Sequence, residues 1–191
     1  MRSGILSVVS LLGFLGALLF LGSTTGSGRG KPSKALIEKG KYLVTSGLCA
    51  DCHSPKLFGP NGPVPDTTRF LSGAPASNTI PEFPAAVLGV DKWGVVASHD
   101  LTTWAGPWGI SFARNLTPDP VTGIGSWTED MFIKALRTGK HMGEGRPILP
   151  PMPWAEIRKM KDDDLKAMFA YLQSLPPIEN AVPEPIPPPQ Y

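Results

Sequence analysis

The chain has 191 residues and a formal charge of only +2, with 18 Lys and Arg interspersed among 16 Asp and Glu. That balance leaves no basic stripe to track a nucleic acid, which removes that partner class. Pro (22 residues) and Gly (21 residues) are abundant, but the stretches between them are periodic and rich in Trp and Phe, which excludes a disordered chain.

Met1-Arg2 is followed by an uncharged run over 3–28 that is strongly apolar over 5–21. The run is longer than most signal h-regions and at the short end of a membrane span. Residues 1–22 are therefore read as a membrane anchor or a signal segment, and Arg2 ahead of the apolar stretch fits an N-in orientation. Both readings export the rest of the chain. An anchor tethers it to the inner membrane on the periplasmic side, through an N-terminal hydrophobic helix; a cleaved signal leaves it soluble in the periplasm. Residues 23–32 (STTGSGRGKP) form a small-residue linker. Residues 33–177 then suffice for one domain, not two, and 178–191 read as a proline-rich tail.

Ser33 is placed to cap a first helix over 34–46, with Leu36, Ile37, Tyr42, Leu43 and Val44 on its apolar side and Gly47 at its end. From 54 to 80 the chain is dense in Pro and Gly, which predicts irregular structure. Short β-like pieces at 94–97 and 109–112 suggest a small hairpin inside a long loop insertion. A second helix is predicted over 128–138, with Glu129 and Asp130 in its first turn. A short helix over 154–160 comes next. The last helix opens with Asp162-Asp163-Asp164, turns Leu165, Met168, Phe169 and Leu172 inward, and stops at Pro176.

The chemistry-bearing motif is Cys49-Ala50-Asp51-Cys52-His53. Two residues between the thiols let both reach the vinyl groups on one porphyrin edge, while the next imidazole reaches the iron. This predicts one covalently attached haem c, held by Cys49 and Cys52 and ligated by His53. A zinc site would need two further ligands, and only His99 and His141 remain, at spacings unlike a zinc module. A redox Cys pair would need a βαβ setting that is absent here.

A low-spin electron carrier takes a second axial ligand, and a thioether raises its reduction potential. Met152, in Pro150-Pro151-Met152-Pro153, is the leading candidate because the flanking prolines fix its backbone. Met142 and His141 are rivals; Met131, Met160 and Met168 read as packing residues. Trp127 is a possible donor to a haem propionate or a core residue. Asn115 is a propionate contact or a turn residue, as is Thr117. Arg114 and Arg146 read as solvated surface charges that stand in reach of the same role.

CADCH, Asn115-Leu116-Thr117-Pro118-Asp119 with Gly123-Ile124-Gly125 and Trp127, Pro150-Pro151-Met152-Pro153-Trp154 and the helix DDDLKAMFAYLQSLPP resemble the class I cytochrome c fold. The likeness spans about 34–177. It is greatest to the haem domains of cytochrome subunits of membrane-bound alcohol and aldehyde dehydrogenases. The resemblance implies an all-α domain whose first and last helices cross near Gly40, with Met152 as distal ligand and one haem edge exposed. It implies an electron carrier, not an enzyme acting on a small-molecule substrate, that serves redox proteins or a membrane respiratory complex. A fixed place in a multi-subunit complex and a haem sensor with an open iron site are the alternatives. Those subunits usually carry three haem motifs where this chain carries one, and the 55–114 stretch is longer than a minimal domain needs.

Overall fold

Helix ends are set by the residues that satisfy their free backbone groups. In the computed structural model, which describes residues 31–80 and 82–189, α1 (Lys34–Ser46) begins where Ser33 Oγ accepts the Leu36 amide at 3.2 Å. Helix α2 (Cys49–His53) follows after a two-residue turn. Thr128 caps α3 (Glu129–Thr138), which ends at Gly139 with φ +67°. A single turn, α4 (Trp154–Ile157), leads to α5 (Asp162–Gln173), whose first turn holds Asp162, Asp163 and Asp164 against the positive end of the helix dipole.

Helix α1 packs against α5 and α5 against α3, around a core that includes Val44, Leu71, Phe132, Leu165, Met168 and Leu172. Each large side chain so buried contributes roughly 1.5–3 kcal/mol. The α1 face turned inward runs through Gly40 and Val44. Tyr42, expected on that face from the sequence, is 70% exposed. Gly40 sits where the backbones nearly touch: a Cβ there would lie 1.9 Å from the Ala167 carbonyl oxygen and 2.8 Å from Tyr171 Cβ.

The all-α expectation is overturned. Two antiparallel sheets stand beside the five helices found among the described residues. Strands β1 (Lys56–Gly59) and β2 (Gly62–Pro65) form a hairpin in the stretch expected to be irregular. Its prolines, Pro63 and Pro65, argue against a strand in sequence, but in a two-stranded ribbon both strands are edges, where proline is tolerated. Strands β3 (Val96–Ala97), β4 (Thr103–Gly106) and β5 (Gly109–Phe112) form the second sheet, in that order. Strand β5 is buried along its length. Ile110 and Phe112 build a second apolar cluster with Ala74, Ala105 and Val182.

Val182 belongs to the segment expected to be a proline-rich tail. Residues 32–191 form one unit, and the segment is fastened to it at two points. Asn180, 5% exposed, donates to the Ser72 and Ala74 carbonyls at 2.7 and 2.8 Å and accepts the Ala76 amide. Ile186 exchanges both backbone hydrogen bonds with Ile110. The expected membrane or signal segment, 1–22, lies outside the described residues. Among the described residues no helix is long and apolar enough to cross a membrane.

The loop into β4 is organised by Asp100, which accepts from Ser98 Oγ at 2.6 Å and from the buried Thr102 hydroxyl at 2.9 Å. Burial pushes the Asp100 carboxyl up, but the hydrogen bonds from Ser98 and Thr102 outweigh it and hold the group below the usual carboxylate range. The resulting stability is present above the usual carboxylate pKa and is lost as pH falls through the lowered value.

Two substitutions probe these contacts through stability. Gly40→Ala is expected to lower the unfolding free energy by about 1–3 kcal/mol in urea titrations, overpacking outweighing the ~1 kcal/mol gain in helix propensity; unchanged stability would contradict the close crossing. Asp100→Asn is expected to cost about 1 kcal/mol at neutral pH, the value being discounted for partial exposure. The difference from wild type should shrink as both proteins are titrated into acid, and a gap independent of pH would contradict the assignment.

Candidate functional site

The CADCH motif is held as a short helix by the groups at its two ends. Leu48, at φ +55°, reverses the chain between α1 and α2. At the far end Lys56 Nζ donates to the carbonyls of Ala50, Asp51 and Ser54 at 3.1, 2.7 and 2.8 Å. A cation on these carbonyls opposes the negative end of the helix dipole and adds a charged donor there, including at the Ala50 carbonyl, which already accepts the Ser54 amide. Nothing in the sequence around Lys56 marks it for this role.

His53 is buried and its Nδ1 donates to the Arg114 carbonyl at 2.7 Å. That bond fixes the tautomer and leaves Nε2 as the free nitrogen with its lone pair, the state a metal-ligating imidazole needs. Burial also pushes the His53 pKa down, despite the opposing Arg114 bond, which favours the neutral ring. Burial pushes the Cys49 thiol up to about 11, its own backbone hydrogen bond opposing, and likewise raises Cys52. Both sulfurs are unpaired thiols, and neither has the depressed pKa of a catalytic or zinc-binding cysteine.

All three side chains line a cavity of about 640 Å³, within the roughly 300–1,000 Å³ range of small-molecule and cofactor sites. Its apolar wall includes Phe132, Leu136, Ile148, Leu149, Met168 and Leu172. The polar groups on it are few: His53, Arg114, Asn115, Trp127, His141 and Arg146 among them. The donor set fits haem c: two neutral thiols on one helical turn, an adjacent imidazole with a free nitrogen, and apolar walls. Indole and guanidinium donors suit its carboxylates. It does not fit a bare metal, since no group of three His, Cys, Asp or Glu able to hold an ion occurs among the described residues.

Met152 lines the same cavity, and so do Met142 and Met168. Met168 is a core residue of α5. Met142 occupies a left-handed backbone position and is 38% exposed. Among the described residues, the Met152 segment is the one of these three tied by a side-chain hydrogen bond to the sheet: Ser111 Oγ on β5 donates to the Pro150 carbonyl at 2.7 Å and accepts the Trp108 indole N–H at 3.2 Å. Ser111 carries no local sequence signal, because its partner lies 39 residues away.

The expected propionate contacts differ. The Trp127 ring stands edge-on to His141 with centroids 5.1 Å apart, and its indole N–H has no hydrogen-bond partner among the described residues, leaving a donor at the cavity. Asn115 lines the cavity, but its side chain is fully used within the chain. The amide donates to Thr122 Oγ1 and the Ile178 carbonyl, and the oxygen accepts from the Thr117 amide and hydroxyl. This is the turn role weighed against a propionate contact, and no donor is left over for one. Arg114 and Arg146 both face the cavity, bridged by Glu184, a residue that composition had assigned to the tail.

A family model described as Cytochrome c matches residues 37–176. The chain is 30% identical over 185 residues to the B subunit of nicotinate dehydrogenase from Pseudomonas putida, covering 91% of this chain and 12% of that protein. It is 29% identical over 148 residues to the gluconate 2-dehydrogenase cytochrome c subunit of Pantoea cypripedii, covering 77% and 25%. A shorter match, 43% over 65 residues, is to the alcohol dehydrogenase (quinone) cytochrome c subunit of Gluconobacter oxydans, covering 34% and 13%. The chain thus spans a quarter or less of the length of these relatives.

The Lys56 cap predicts a local effect. Lys56→Met, which keeps the stem and removes the charge, is expected to weaken the end of α2 by about 1 kcal/mol. Amide exchange over 52–54 should then quicken about fivefold while that of α3 stays unchanged. Unaltered exchange at α2 would show that the cap contributes nothing there.

Proposed function

Because the chain belongs to the cytochrome c family, whose members bind haem c covalently and transfer electrons, we propose that it is a monohaem electron carrier with His53 and Met152 as axial ligands. The observation that carries this reading is the convergence of Cys49, Cys52, His53 and Met152 on one cavity, with His53 Nδ1 already committed to the Arg114 carbonyl. The reading of one haem rests on the single CxxCH motif in the chain.

Haem c supplies a one-electron couple when bound. The protein's own contribution is positioning and exclusion. Cys49 and Cys52 would hold the group by thioether bonds, and Lys56 keeps their helix wound. The Arg114 carbonyl orients the His53 ring and increases its basicity. Ser111 steadies the segment that presents Met152, so that little rearrangement accompanies a change of charge. The apolar wall keeps water out, which favours the less charged site, and Trp127, Arg114 and Arg146 supply donors for carboxylates. With His53 and Met152 both committed to the iron, the site would carry electrons and leave no position for a substrate.

The relatives named as cytochrome subunits of gluconate and alcohol dehydrogenases support a partner of that class, a redox complex whose electrons enter or leave through this domain. Covalent haem attachment and the apolar run over 5–21 support a location on the extracytoplasmic side.

Met152→Ala tests the ligation. The oxidised wild-type protein should show the far-red sulfur-to-iron band, and the variant should lose it, bind carbon monoxide when reduced, and have a lower reduction potential. Retention of the band would remove Met152 from the reading. Carbon monoxide binding by reduced wild type at neutral pH would favour the sensor instead.

A further inference from the structure

The segment that composition set apart as a tail passes along the cavity. Asn180 and Val182 fasten it on one side and Ile186 on the other, so Glu184 is held between two anchors. Next to it, Pro185 lines the cavity. Glu184 Oε1 lies 3.3 Å from Arg114 Nη1, and Oε2 accepts from Arg146 Nε at 2.9 Å. Arg114 Nη1 also donates to the Val182 and Pro183 carbonyls at 3.1 and 3.2 Å.

Arg114, Arg146 and His141 are the ionisable groups facing Glu184, and all three line the cavity. The carboxylate itself is held below its usual range, burial being outweighed by the Arg146 hydrogen bond and the two guanidinium charges. It is therefore ionised at neutral pH. Two like charges placed together at a cavity lip repel each other and favour whichever state of the site is more negative; a carboxylate between them cancels part of both effects.

We infer that Glu184 is a positioning residue for the redox site: it clamps Arg114 and Arg146 at the cavity lip and, by offsetting their charge, lowers the reduction potential. This rests on the haem reading above. The oxidised site carries one more positive charge than the reduced one, so an anion nearby stabilises the oxidised state and a cation the reduced state.

The test is a potentiometric titration of the full chain with its haem, comparing reduced-to-oxidised ratios at the wild-type midpoint, where the ratio is one. Glu184→Gln should raise the ratio at least threefold, and Arg146→Gln should lower it at least threefold. The double variant should return to within about twofold of wild type. Glu184→Asp, which keeps the charge, should stay near wild type. The Glu184 side chain is 68% exposed and that of Arg146 32%, neither belongs to an apolar core cluster, and equal covalent haem content confirms intact folding.

An unchanged ratio in Glu184→Gln overturns the inference. Shifts of the same sign in both single variants also overturn it, because they would report loosened packing and not charge. Wild type without covalent haem overturns this inference and the haem reading together; wild type with haem and no Glu184 effect overturns this inference alone.

Discussion

The hydrogen bond from His53 Nδ1 to the Arg114 carbonyl joins the two halves of the site. One partner ends the helix that carries both cysteines; the other comes just after β5, the strand from which Ser111 reaches the Met152 segment. A single 2.7 Å contact therefore relates the thiols, the imidazole and the thioether to one frame. It also decides the chemistry, since it leaves Nε2 as the only free ring nitrogen. The backbone around it is braced on both sides: the Gly73 amide donates to the His53 carbonyl, and the Ala74 amide to the Ala113 carbonyl. Gly73, at φ +81°, fits there because a Cβ would lie 2.5 Å from the Ala113 oxygen.

The same bond gives the long insertion and the C-terminal segment a common purpose. The sheet of β3, β4 and β5 is buried on one cluster with Val182, and the segment from Asn180 to Ile186 meets its β5 edge, pinned to Ser72, Ala74 and Ile110. These parts are additions to a helical frame in which α1, α3 and α5 enclose the core. They support the Met152 segment from one side and carry Glu184 to the two arginines at the cavity. An extra sheet and a packed strap thus buttress the cavity wall from outside the helices that form it.

Local signals made part of this legible. Ser33 caps its helix as its position suggested, and Leu165, Met168, Phe169 and Leu172 are buried at the expected spacing; Thr128, placed inside the second helix by the sequence, is its cap. CADCH is contiguous, so its chemistry could be read without a fold. The strands were harder: Pro63 and Pro65 lie in β2, and β3 has only two residues, too few for a period to register. Ser111, Lys56 and Glu184 act through partners chosen by tertiary structure, and nothing adjacent in the chain marks them. Asn115 shows the converse, with the turn role and the propionate role both open in the sequence. Its residue type suits a propionate contact, but the fold commits every donor and acceptor of its amide to Thr117, Thr122 and Ile178.

The central claim is one covalent haem on one helical turn, and peptide mass mapping of the purified protein addresses it directly. Trypsin should release the 42–56 fragment, which contains Cys49, Cys52 and His53, heavier by the mass of one haem and absorbing as a haem peptide, with no other fragment so modified. Recovery of that fragment unmodified, with both thiols open to alkylation, would contradict the claim.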